Sequence, residues 1–72
     1  MYPNRLAETE AVLARADRQW RSEVTRLYGP DGVLRFGYSI EGRGEDGTPV
    51  RHAYDARSHA VAAWRHERRS AV

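Results

Sequence analysis

The sequence predicts an α+β fold in the order helix, strand, strand, helix: a long N-terminal helix, a two-stranded antiparallel β-hairpin and a short C-terminal helix. Three observations carry that expectation. Apolar residues recur at helical spacing from Arg5 to Tyr28, they alternate strictly from Val33 to Glu41, and a second alternation then gives way to helical spacing before Trp64. The 72 residues read as a single domain, 1–72, close to the size at which one core is only marginally sufficient.

In the first segment Leu6, Thr9, Leu13, Ala16, Trp20, Val24 and Leu27 fall three or four residues apart and share one stripe of a helix. Glu8, Arg15, Arg18, Ser22 and Arg26 take the opposite face, and Asp17 with Arg21 forms an i,i+4 ion pair. Asn4 reads as the N-cap. Gly29-Pro30 followed by Asp31-Gly32 supplies a left-handed cap and then residues that cannot continue the helix. In the second segment Leu34, Phe36, Tyr38 and Ile40 point one way while Arg35, Gly37, Ser39 and Glu41 point the other, the pattern of a half-buried strand. The turn formers of Gly42–Thr48 then lead to Val50, His52 and Tyr54 as the returning strand. Asp55 or Ser58 caps the last helix, with Ala60, Val61 and Trp64 inward and His59, Arg65, His66 and Arg69 outward.

Composition narrows the function classes. Without cysteine there is neither a disulfide nor a thiolate metal site. The opening MYPNRLAETE lacks a charged start followed by an apolar run, and no stretch has the length of a membrane-spanning helix, so a cytoplasmic protein without membrane contact is expected. Residues 1–50 hold seven arginines against eight acids and residues 51–72 hold five against two, which concentrates the net +2 in the C-terminal segment. All twelve basic residues are arginine. That usage fits either bidentate phosphate and carboxylate chemistry or a coding bias.

Catalysis and metal binding fare poorly. His52, His59 and His66 are seven apart, and seven helical residues advance about 10 Å, too far for His59 and His66 to ligate one ion. No metal and no cofactor is expected. His52, Asp55 and Ser58 are the residue types of a hydrolytic triad, but their spacing supplies neither an oxyanion hole nor a pocket. They are better explained as a core histidine and two competing caps. GRGEDG carries two acids that would repel phosphate and reads as a turn. The chain is expected not to be an enzyme.

Binding surfaces remain. Arg35-Phe36-Gly37-Tyr38 matches part of the aromatic pattern of RNA-binding strands, yet Phe36 and Tyr38 share the face that the helices must cover and are assigned to the core. The run from Val33 to Arg69 resembles, as strand, glycine-rich turn, strand and helix, the hairpin-plus-helix half of the arm-type DNA-binding modules of phage integrases. That resemblance implies a sheet laid into the major groove. The helix–hairpin–helix order is also similar to that of small head-completion proteins of tailed phages. On this reading the outer hairpin face of Arg35, Gly37, Ser39, Arg51 and Ala53 is the expected nucleic-acid site, because small residues between arginines let a backbone approach. His59, Arg65, His66 and Arg69 form a secondary basic surface.

The expected function is a small non-enzymatic module, itself expected to be a homo-oligomer, that binds DNA or RNA. The alternative is a protein-interaction or assembly module, a homo-oligomer or phage-type adaptor. Its interface would be Leu6, Leu13 and Trp20, left bare because the last helix is expected to be only half as long as the first.

Overall fold

A computed structural model describes residues 5–70, and among them there is no strand. The order is α1 (Arg5–Tyr28), α2 (Gly32–Phe36), a single 3₁₀ turn (Ile40–Gly42) and α3 (Pro49–Ser70). The α+β, helix–hairpin–helix expectation is therefore overturned: the described residues form three α-helices and one 3₁₀ turn, without a sheet. The two family resemblances that rested on the hairpin lose their basis with it.

The first helix runs as its periodicity requires. It stops where glycine allows a left-handed residue: Gly29 has φ 92° and its N–H donates to the Thr25 carbonyl at 2.8 Å. Asp17 and Arg21 pair at 2.7 Å. The N-cap assigned to Asn4 lies outside the described residues.

The second half departs from expectation because α3 starts at Pro49, not after Asp55. Thr48-Pro49 is the cause. Proline at the first helical position has no N–H to satisfy, and the Thr48 hydroxyl oxygen accepts the backbone N–H of Arg51 at 3.2 Å, satisfying a donor that the helix cannot. Once begun there, Val50, Ala53, Tyr54, Ala60, Val61 and Trp64 fall at helical spacing on one side, whereas the strand reading had put His52, which is exposed, on the core side. At 22 residues α3 is almost as long as α1, about 33 Å against about 36 Å.

The two helices pack antiparallel into a rod of 43 × 20 × 19 Å. Arg5 near the start of α1 reaches Glu67 near the end of α3 at 3.9 Å, and Asp17 meets Arg57 at 2.7 Å midway. This covers the stripe of α1 that was expected to lie bare. Leu6 and Leu13 are half-buried beside α3, and Trp20 is in the core. The proposed interface of Leu6, Leu13 and Trp20 is accordingly an internal helix–helix seam.

The core is small and sits at the connector end of the rod. Trp20, Val24, Val50 and Ala53 are buried together, with Val33 and Tyr54 packed on them, and Ala60 is buried further along α3. The connector is pinned to α1 by two bonds: the Trp20 indole N–H donates to the Gly42 carbonyl at 2.7 Å and the Tyr28 hydroxyl to the Glu41 carbonyl at 3.3 Å. Gly42 is needed at that point because a Cβ there would run into the Phe36 carbonyl. Among the described residues one acid is buried, Glu23, which accepts a hydrogen bond from the Gln19 amide at 3.1 Å and lies 3.4 Å from Arg26.

The expected core face of residues 34–40 dissolves. Phe36 alone of its four residues is partly covered, packed on Tyr28 with ring centroids 4.7 Å apart, while Leu34, Tyr38 and Ile40 face solvent. Trp64 is half-buried, with the Arg68 guanidinium 5.2 Å from its ring.

Candidate functional site

The residues of the expected nucleic-acid face are dispersed by the helical connector. Arg35 is exposed on α2, its guanidinium carbon 5.8 Å from the Phe36 ring. Gly37 and Ser39 stabilise the turn after α2: the Gly37 N–H donates to Val33 at 2.9 Å and the Ser39 hydroxyl donates to Phe36 at 2.9 Å. Arg51 lies in the first turn of α3, 3.3 Å from Asp55, and donates to the Gly44 carbonyl at 3.4 Å. Ala53 is 3% exposed in the core. A common face for Arg35, Gly37, Ser39, Arg51 and Ala53 required an alternating strand pair, and helical spacing turns Arg51 and Ala53 about 200° apart instead.

The secondary basic residues do share a side. His59, Arg65, His66 and Arg69 are all exposed on α3, and none of the four has an acidic partner among the described residues. His52, His59 and His66 run along the same exposed side, and the described residues include no group of three or more histidine or acidic side chains placed to hold a metal ion. No helix among them is long and apolar enough to cross a membrane.

Two other features stand out, and both lie at the connector end. The first is apolar. Leu27 is 60% exposed, Leu34 87%, Ile40 77% and Tyr38 fully exposed, all within fourteen residues of chain that close one end of the rod. Large apolar side chains scattered singly over a surface are ordinary, whereas four concentrated at one end mark a surface that gains by being covered. The same stretch of chain carries exposed charges of both signs, Arg35 and Arg43, Asp31 and Glu41. Ser39 hydrogen bonding holds the Glu41 carboxyl below its ordinary range, so it stays ionised.

The second is a cleft of about 200 Å³ between α1, α3 and the turn after α2. Trp20 forms part of its wall, and Arg21, Arg43 and Arg57 line it with the hydroxyl-bearing Ser39 and Tyr54. One carboxylate organises two of the arginines. Asp17 accepts the Nε–H of Arg21 on Oδ2 and the Nε–H of Arg57 on Oδ1, each at 2.7 Å. The Arg57 guanidinium also lies 5.1 Å from the Trp20 ring. Burial by itself would push the Asp17 carboxyl up, but the hydrogen bonds from Arg57 and Arg21 and their charges outweigh it and hold the group below its usual value.

Sequence reasoning overlooked these features for identifiable reasons. Assigning residues 33–41 to a strand placed Leu34, Tyr38 and Ile40 inside. The signal against it was the Thr48-Pro49 start of α3, which leaves no returning strand to pair with. Arg57 falls within the inward stripe of Ala53, Tyr54, Ala60 and Val61, and a charge in such a stripe marks a partner on the facing helix. That partner, Asp17, is 40 residues away. No family model, no curated protein and no solved structure matches this chain.

Proposed function

We propose that the chain is a non-enzymatic assembly module that associates with a second copy of itself through its connector end. The observation that carries this is the concentration of Leu27, Leu34, Tyr38 and Ile40 in solvent at one end of a rod whose own core holds few large side chains. A twofold contact juxtaposes the same patch from both copies, so a surface bearing both signs of charge beside an apolar centre can be complementary to itself. Here Arg35 and Arg43 of one copy would face Asp31 and Glu41 of the other. Aromatic and aliphatic anchors ringed by arginine are also the composition of interface hot spots.

The contact should be modest. An end of about 20 × 19 Å is smaller than the roughly 800 Å² that each partner buries in a standard interface. Association in the micromolar range, on the order of 10⁻⁶ M, is expected. Sedimentation velocity across a concentration series tests the proposal, with Leu34→Asp as the perturbation. The parent should shift toward a dimer as concentration rises and the variant should stay monomeric with unchanged helix content. A parent that remains monomeric throughout refutes it.

A second reading keeps nucleic acid as the partner, favoured by the exposed arginines Arg65 and Arg69, without an acidic partner among the described residues, with His59 and His66 on one side of α3. Arg65→Ala with Arg69→Ala would then weaken binding to random duplex DNA and lower its salt slope by about one per lost phosphate contact. A cytoplasmic location belongs to both readings.

A further inference from the structure

We infer that the arginine-lined cleft beside Trp20 is a binding site for a single phosphate group, carried free or as a phosphomonoester. The argument rests on the geometry of the three guanidinium groups; Arg43 and Tyr38, which line the cleft, also belong to the end proposed above for self-association, and Leu34, which does not line it, separates the two.

Arg21 and Arg57 both reach Asp17 through Nε, one to each carboxylate oxygen. This uses the inner edge of each fork. The terminal amino groups of both side chains make no hydrogen bond among the described residues, although Arg57 is two-thirds covered, with its side chain 34% exposed. Asp17 thus fixes the two guanidiniums relative to each other without consuming the donors that recognise an oxyanion bidentately. The stack on Trp20 restrains Arg57 further. Arg43 enters the same cleft from the 3₁₀ turn and has no acidic partner among the described residues. Three guanidiniums face one carboxylate, so the cleft keeps an excess of positive charge that a dianion would neutralise.

Size selects the ligand. Sites for drug-sized molecules enclose roughly 300–1,000 Å³, and this cleft of about 200 Å³ accommodates a tetrahedral oxyanion with little beyond it. Tyr54 and Ser39 also line the cleft and bring hydroxyl groups of the kind that bond a phosphate oxygen. A monocarboxylate would leave part of this donor set unpaired. Phosphate, with three or four acceptor oxygens and nearly two charges above about pH 6, matches it.

The full chain should be titrated with inorganic phosphate and with methyl phosphate by calorimetry and by the Nε–H and indole N–H resonances, at constant ionic strength set with chloride. Saturable one-to-one binding is expected, with the Trp20 and Arg57 signals moving. Arg43→Ala, an exposed change that removes no internal contact, should weaken it about tenfold or more, as loss of a charge-assisted bond predicts. Arg57→Lys keeps the charge and loses the fork, and should also weaken it; circular dichroism establishes that each variant is folded. Tighter binding of methyl phosphate assigns the site to a phosphomonoester, and equal binding assigns it to the free anion. Absence of saturable binding overturns the inference, and so does an Arg43→Ala variant that titrates like the parent. An equal loss in Arg65→Ala would also overturn it, by showing diffuse attraction to a basic surface. Leu34→Asp should bind phosphate normally, so the two proposals fail separately.

Discussion

Replacing Trp20 by phenylalanine should destabilise the protein far more than the same change at Trp64. The Trp20 ring is buried in the core, and its N–H is the donor that holds the connector to α1 through the Gly42 carbonyl at 2.7 Å. Phenylalanine removes that donor and leaves a carbonyl in the interior without it, a cost of about 1–3 kcal/mol. The smaller ring also leaves a void beside Val24 and Val50, adding about 1 kcal/mol. The sum of about 2–4 kcal/mol is a large share of the roughly 4–11 kcal/mol expected for 72 residues. At about 4–8 °C per kcal/mol for a domain of this size, the melting temperature should fall by roughly 10–30 °C. Trp64 is half-buried and its special contact is the Arg68 guanidinium at 5.2 Å, worth about 0.5–1 kcal/mol at a partly exposed site. Thermal unfolding followed by far-ultraviolet circular dichroism reads both variants. Equal melting temperatures would sink the reasoning, because they would mean that the Trp20–Gly42 bond does not tie the connector to the helices.

The ion triad gives a pH dependence. The Asp17 carboxyl is held below its usual value of 3.8, so its stabilisation is fully present above that pH and is lost as the pH falls through the folded-state value. The parent's melting temperature should therefore drop more steeply below about pH 4 than that of Asp17→Asn, whose curve lacks this contribution; parallel curves would show that the triad does not stabilise the fold. Thr48→Ala should cost about 1 kcal/mol through loss of the cap on α3 and fray its first turn, visible as faster amide exchange at Arg51 and His52. Exchange unchanged at those amides would move the start of α3 elsewhere.

By itself the sequence determined α1, its end at Gly29 and the Asp17–Arg21 pair, because each depends on interactions within a few residues. Twenty-four residues of consistent period leave no competing conformation, and the glycine that adopts φ 92° is next to the turn it closes. Residues 33–54 were decided otherwise. Leu34, Phe36, Tyr38 and Ile40 alternate as a strand does, but the run is short, and an alternating segment is stable as a strand only if another strand supplies its backbone partners. Thr48 and Pro49 commit the returning segment to α3, and burial of Val50 and Ala53 against Trp20 and Val24 holds it there. With no partner strand left, residues 32–42 satisfy their backbone through local turns, and three of the four apolar side chains turn outward. The candidate sites have the same origin. Asp17 and Arg57 are 40 residues apart in the chain and Trp20 and Gly42 are 22 apart, so only the antiparallel packing of α1 on α3 brings the arginines of the cleft to one carboxylate and places the apolar connector at an open end.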